Sequence, residues 1–280
     1  MPVASNGVRV RTSSVGDTCK LSPRIRILRS AMKRFAIVAG LTLALSLLTF
    51  AQTTGKPVTS SATPTVDQVL DKYVDALGGR AAWKKLTSRQ STGTIEVPAM
   101  SLSGTFEVTE KAPNQTLSVV VVAGANFRQG FDGKSGWSDD PQNGVREQSG
   151  AELDEARRQA DFYHSLDLRQ LYKKLTLTGT EKIGEHDTYV IECATGSGDP
   201  DKMYFDTQTG LALRVVAQHH SPEGVEVLQE DLEDYRAVDG VKVPFTIHQT
   251  SGGNVFAIKI TEVRHNLALD DAQFAKPAAQ

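Results

Sequence analysis

The sequence predicts an α+β fold: a strongly curved antiparallel sheet of about eleven strands, an incomplete β-barrel, with helices covering its concave face. Three observations predict it. Short segments rich in Thr, Val and Phe, separated by Pro, Gly and Asn, run from Ser91 almost to the end. Helical patterns occur only at the start of this region and once in its middle. Lys202–Val216 reads as strand, tight turn, strand: Asp206 and Thr207 can bond their own backbone, and Gly210 supplies a positive φ. So many strands in one sheet must curl under their own twist.

The amino end reads as a leader. Met32-Lys-Arg opens a positive segment, Phe35 to Phe50 is almost continuously apolar, and Ala51 precedes Gln52 with small residues suited to cleavage. Met32 is the expected true start, and residues 1–51 are an N-terminal extension and signal peptide. The expected location is periplasmic or secreted, with a retained N-terminal anchor as the alternative. Cutting after Ala51 removes eight Lys/Arg and one Asp, leaving 23 basic against 32 acidic side chains. Such an acidic chain is a poor candidate for nucleic acid or anionic membrane surfaces, which reward basic patches, and no nucleic-acid partner is expected. Cys19 leaves with the leader, so Cys193 has no intramolecular partner and reads as a buried, inert thiol on a strand face with Tyr189 and Ile191.

Residues 52–64 are Thr-, Ser- and Pro-rich and read as a flexible linker. Residues 65–280 then form a single domain. Thr65 with Gln68 is a capping box, and Val66, Val69, Leu70, Tyr73, Val74 and Leu77 make one apolar stripe that Gly78-Gly79 ends. A short helical turn carries Trp83 and Leu86. Strands are expected at Ser91–Val97, Leu102–Glu110, Thr116–Val122 and Asn126–Phe131. Phe131-Asp-Gly-Lys-Ser-Gly-Trp137 is a hairpin whose Asp-Gly suits a type I′ turn. Ser149 with Glu152 is a second capping box, with a charged helix to Ala160. Phe162–Tyr172 is more apolar, with Asp167 as a cap. Strands resume at Leu175–Ile183, His186–Ala194, Asp201–Asp206, Leu211–His220, Glu226–Val238, Val241–Thr250 and Asn254–His265, with Asp239-Gly240 a tight turn.

Few residues suggest chemistry. His219 and His220 are adjacent on a strand and point to opposite faces, so one metal ion is a poor fit for both. Glu230-Asp-Leu-Glu-Asp234 reads as a solvated strand edge. Asp139-Asp140 and Asp270-Asp271 read as turn residues. Gly-x-Ser-x-Gly, His-Glu-x-x-His, phosphate-loop and dinucleotide motifs are absent, so no catalytic residue and no metal is assigned.

Four segments together resemble the LolA/LolB-like lipoprotein-carrier superfamily, which includes RseB-like proteins. They are the opening helix, Phe131–Trp137, Met203–Arg214 and Val238–Ile247. The resemblance spans about Thr65 to Lys276. It implies a half-barrel around an apolar cavity, lidded by helices, in a non-enzymatic carrier without a cofactor. Similar segments accompany multi-haem cytochrome subunits, but Cys-x-x-Cys-His is absent here, so no haem is expected. The chain departs from the carriers in a long insertion at Gln148–Leu175. The residues expected to line the cavity are Phe106, Trp137, Phe162, Tyr163, Leu166, Leu171, Tyr204 and Leu213, with Phe162–Tyr172 as lid. Ordinary core packing is the other reading of the aromatics. The expected partner is a lipid, a lipoprotein acyl chain or another apolar ligand. The alternative is an envelope module binding a partner protein; a hydrolase is a distant third.

Overall fold

The computed structural model describes residues 63–278 apart from Ser197. The leader, its cleavage site and nearly all of the linker lie outside the described residues. Two helices come first, α1 (Val66–Ala76) and α2 (Arg80–Trp83). Six strands follow: β1 (Ser88–Val97), β2 (Leu102–Lys111), β3 (Gln115–Val122), β4 (Ala125–Phe131), β5 (Gly136–Asp140) and β6 (Gly144–Glu147). Helices α3 (Gly150–Gln159) and α4 (Leu168–Leu171) interrupt them. The chain then continues through β7 (Lys174–Ile183), β8 (His186–Ala194), β9 (Asp201–Asp206), β10 (Ala212–Ser221), β11 (Gly224–Val238), β12 (Val241–Ser251) and β13 (Asn254–His265).

All thirteen strands join one antiparallel sheet in the order β6-β5-β4-β3-β2-β1-β13-β12-β11-β10-β9-β8-β7. The expected count of about eleven misses β5 and β6. Both are short and rich in Asp, Gly and Arg, so local propensity argues against them. Pairing with β4 makes β5 a strand, and Trp137 on β5 is anchored by its Nε1, which donates to the Phe274 carbonyl at 2.8 Å.

The sheet is strongly bent. Asn143, in the β5–β6 turn, donates from Nδ2 to Oε1 of Glu223, in the β10–β11 turn, at 3.2 Å. Eight inter-strand steps separate β5 from β10. Laid flat, those steps would span about 38 Å. The sheet therefore curls until these hairpin tips meet, without β6 and β7 pairing to close it.

The helices fill one half of the hollow. The Thr65 capping box forms as expected: Gln68 N–H donates to Thr65 Oγ1 at 3.2 Å, and Thr65 N–H donates to Gln68 Oε1 at 2.8 Å. The apolar stripe of α1 then buries Val69, Leu70, Tyr73 and Val74 against β9, β10 and β12. Tyr73 meets Phe205 edge-on at 5.0 Å. The C-terminus of α1 is tied down where Lys242 N–H donates to Leu77 O at 2.9 Å. Gly78, at φ +108°, passes so close that an added Cβ would lie 2.3 Å from Gly240 O. Phe162, Leu166, Leu168 and Tyr172 complete this core.

Several local expectations are corrected. Ser149 precedes α3 without a side-chain cap bond, because Glu152 pairs with Arg146 instead of reaching back. Asp167 does not cap α4 with its side chain; it accepts from Arg80 at 2.8 Å. The Asp132-Gly133 turn is a four-residue loop in which Asp132 Oδ1 accepts from Lys134 and Ser135 N–H at 2.8 and 2.7 Å. The type I′ geometry belongs to Asp239-Gly240, at φ +50° and +85°. Asp139 sits within β5, paired with Arg128, while Asp140 ends β5 and its Oδ1 accepts from Gln142 N–H in the turn that follows. Asp206 behaves as expected, accepting from Gln208 and Thr209 N–H at 2.8 and 2.6 Å beside Gly210 at φ +78°.

Candidate site: a two-part trough in the curved sheet

The half of the hollow that the helices leave open is a trough. Its floor follows from register. Val215 on β10 faces Glu230, which faces Gln249, which faces Phe256. One row over, Leu232, Ile247, Ile258 and Ile95 align across β11, β12, β13 and β1. Period-2 alternation sends these rows to the concave side.

The lower part is a mainly apolar cavity of about 450 Å3, with Ile95, Phe106, Val108, Val120, Ile247 and Ile258 among its walls and Ser91 and Ser118 between them. At one end Arg89 and Glu110 form a bidentate pair, with Arg89 Nε 2.5 Å from Glu110 Oε2 and its second nitrogen 2.8 Å from Oε1. The Arg89 guanidinium also lies 5.7 Å from the centre of the Trp83 ring. Burial would lower its pKa, and the Glu110 carboxylate outweighs that effect.

The upper part, about 500 Å3, lies between α3 and the strands β9 to β13, where charged and amide side chains such as Glu155, Arg158, Asp201 and Glu230 stand among Met203, Val215, Leu228 and Phe256. Gln129, Glu230 and Gln249 line both parts, so the two join there. Strand β9 begins only at Asp201, which leaves the edge of β10 beyond Val216 without a strand partner. Two carboxylates take that strand's place: Gln218 N–H donates to Asp201 Oδ1 at 3.3 Å, and His220 N–H donates to Glu155 Oε2 at 2.9 Å.

This arrangement gives the histidine pair a shared partner. Glu155 lies at the strand edge, where side chains of both faces can reach it. Nδ1 of His219 is 2.9 Å from Oε1 and Nδ1 of His220 is 3.2 Å from Oε2. Burial pushes the Glu155 carboxyl up, but His219 and the His220 N–H together hold it below the usual range. His219 is raised in turn by that carboxylate, against the effect of burial. Asp201 is raised by burial despite the bond from Tyr172 O–H at 3.1 Å. His164, facing the trough, is driven down to about 4 by burial and so is neutral at pH 7. Among the described residues no group of three or more His, Cys, Asp or Glu is arranged to hold a metal ion.

The charge run is also corrected. Strand β11 lies inside the sheet, between β10 and β12, so it is no edge. Asp231 points outward to Arg214, whose second nitrogen is 3.0 Å away. Glu230 shares the inward face with Leu228 and Leu232. Glu230 is half-buried there, and burial alone raises its carboxyl.

The sequence-nominated residues separate. Phe106 lines the apolar cavity. Phe162 and Leu166 are buried in the helix-side core, with Leu171 and Tyr163 packed against it. Tyr163 O–H donates to Leu86 O at 3.0 Å. The Phe162–Tyr172 segment, expected as a lid, is helical only at α4 and is built into that core. Trp137 is buried under β4, where a Cβ on Gly130 would lie 2.4 Å from its ring. Tyr204 is buried and pairs with Arg214 across β9 and β10. A bulge between Ala212 and Arg214 resets alternation, so Ala212 and Val215 meet the core and Leu213 does not. Cys193 is fully buried, and burial together with Asp201 and Glu192 pushes its thiol up to about 12. Sequence reasoning missed Glu230, although its position in the apolar phase of Leu228-Gln-Glu-Asp-Leu232 was a signal.

No protein-family model matches the chain, and no curated protein matches it. Solved structures do resemble it. A LolA superfamily protein is among them. That protein, from Nitrosomonas europaea, is 16% identical with a TM-score of 0.49 over 76% of this chain and 99% of its own. A DUF1329 family protein from Desulfovibrio piger gives 17% identity and a TM-score of 0.49 over 76% of this chain and 98% of its own. A putative outer membrane lipoprotein-sorting protein domain from Vibrio parahaemolyticus gives 13% and 0.47, over 75% and 97%.

Proposed function

We propose that this is a binding protein, acting outside the cytoplasm, that holds an acyl chain in the apolar part of the trough. The observation that supports the reading is the uncovered inner face: Phe106, Val108, Val120, Ile247 and Ile258 surround an apolar cavity that no helix fills. Its volume falls in the range of ligand sites. Each buried methylene contributes about 0.8 kcal/mol, so a sixteen-carbon chain gains on the order of 12 kcal/mol gross, before ordering and association costs. Such binding needs no catalytic group, and Glu155 and Asp201 are occupied by structural bonds to the β10 edge.

Native mass spectrometry of protein isolated from its own cell envelope, with titration by a fluorescent fatty acid, tests this. The expected result is a co-purifying lipid and saturable binding that Ile258→Asp abolishes in a folded variant. Absence of lipid, with probe uptake unchanged by Ile258→Asp, would remove the reading. A second reading, a module for a partner protein, is favoured by Val225, Val227 and Val255, which are exposed near the β10–β11 and β12–β13 turns. A stoichiometric protein captured without lipid, and lost on Val227→Glu, would support it.

A further inference from the structure

The upper part of the trough carries polar side chains that make no hydrogen bond or ion pair within the described residues. Glu155 and Asp201 are committed to the strand edge and to their side-chain partners. The Glu230 carboxylate, the Arg158 guanidinium and the amides of Gln129 and Gln249 line the same cavity, and no hydrogen bond or ion pair joins their side chains to any described residue. A charge shielded from bulk water without a partner is unfavourable. Here Glu230, raised by burial, and Arg158, whose charge also acts on Asp201, share one cavity with no ion pair between them. Glu230 stands at the junction with the apolar cavity, flanked by Gln129 and Gln249. A head group held there leaves its chain pointing along Phe106, Ile247 and Ile258.

We propose that the trough selects a zwitterionic amphiphile, with its ammonium against Glu230, its anionic group against Arg158, and its chain in the apolar cavity. The inference rests on the acyl-chain reading and adds the class of head group. Two charge-assisted contacts distinguish such a head from a neutral or purely anionic one. Gln129 and Gln249 supply donors and acceptors for the ester or hydroxyl groups between head and chain.

The test is displacement of a fluorescent acyl probe by three lipids of identical chain length, each below its micellar concentration: a lysophosphatidylethanolamine, a lysophosphatidylglycerol and a monoacylglycerol. The zwitterion should bind at least about tenfold more tightly than the other two, the discrimination a single charge-assisted contact supplies. Glu230→Gln should bring it level with the lysophosphatidylglycerol. Arg158→Gln should weaken both phosphate-bearing lipids and leave the monoacylglycerol unchanged. Equal displacement by all three lipids in the wild-type protein overturns the head-group inference while the chain reading stands, and that arm needs no variant to fold. If none of the three displaces the probe, the chain reading falls as well.

Discussion

Replacing Glu155 by Gln should loosen α3 from the edge of β10, and the loss should depend on pH. The carboxylate accepts from His220 N–H and faces both imidazoles, while Gln159 Nε2 donates to it at 3.1 Å. Its side chain is 9% exposed, whereas that of His219 is 39% exposed, so the His219 contribution is weakened by solvent screening. Hydrogen bonds to charged groups are worth roughly 1.5–3 kcal/mol, and an amide oxygen keeps one of them, so a loss of about 2 kcal/mol is expected. For a domain of this size that is a fall of about 4–8 °C in Tm. Glu155 is lowered from 4.5 in the fold, so its contribution is present above that value and is lost as pH falls through the folded pKa. His219 is raised from 6.5, so its contribution is present below that value and is lost as pH rises through the folded pKa. Both are complete between 4.5 and 6.5. Urea unfolding of wild type and variant at pH 5.5 and pH 8.5 measures the difference. It should be larger at pH 5.5. A difference that is equal or greater at pH 8.5 would refute the coupling of His219 to Glu155.

Three further outcomes are expected. Gly78→Ala should cost about 3 kcal/mol or more in chemical denaturation, because a positive φ and a Cβ only 2.3 Å from the Gly240 carbonyl cannot both be relieved. Phe274→Ala should cost about 3–5 kcal/mol and red-shift tryptophan emission, since Phe274 is fully buried and its carbonyl holds Trp137; an unchanged melting temperature would contradict this. In a Cys19→Ser background, Cys193 should give no reaction with a thiol reagent at pH 8 until the protein is unfolded, its thiol being raised to about 12 in a fully buried site.

Most strands were readable because each signal is local. Period-2 alternation, Asp206 with Gly210 and Asp239-Gly240 act within a few residues, and their turns form where expected. Trp137-Ser-Asp-Asp was not readable as a strand, because its stability comes from β4 and from Phe274, far along the chain. The caps at Ser149 and Asp167 failed for the same reason: Arg146 and Arg80 compete for Glu152 and Asp167. Of the nominated cavity residues, Phe106 lies in the apolar part of the trough, while the Phe162–Tyr172 set packs with α1.

The sequence by itself determined the alternation of α1's apolar stripe, the hairpins and the two faces of each strand, since these depend on neighbours within one turn or one pleat. Tertiary structure alone decided which half of the inner face the helices cover. It also placed Glu155 at an unpaired strand edge within reach of two histidines, and Glu230 inside the hollow instead of on an edge. Those outcomes depend on sheet order and curvature, which bring Asn143 to Glu223 across eight strand steps and which no local pattern encodes.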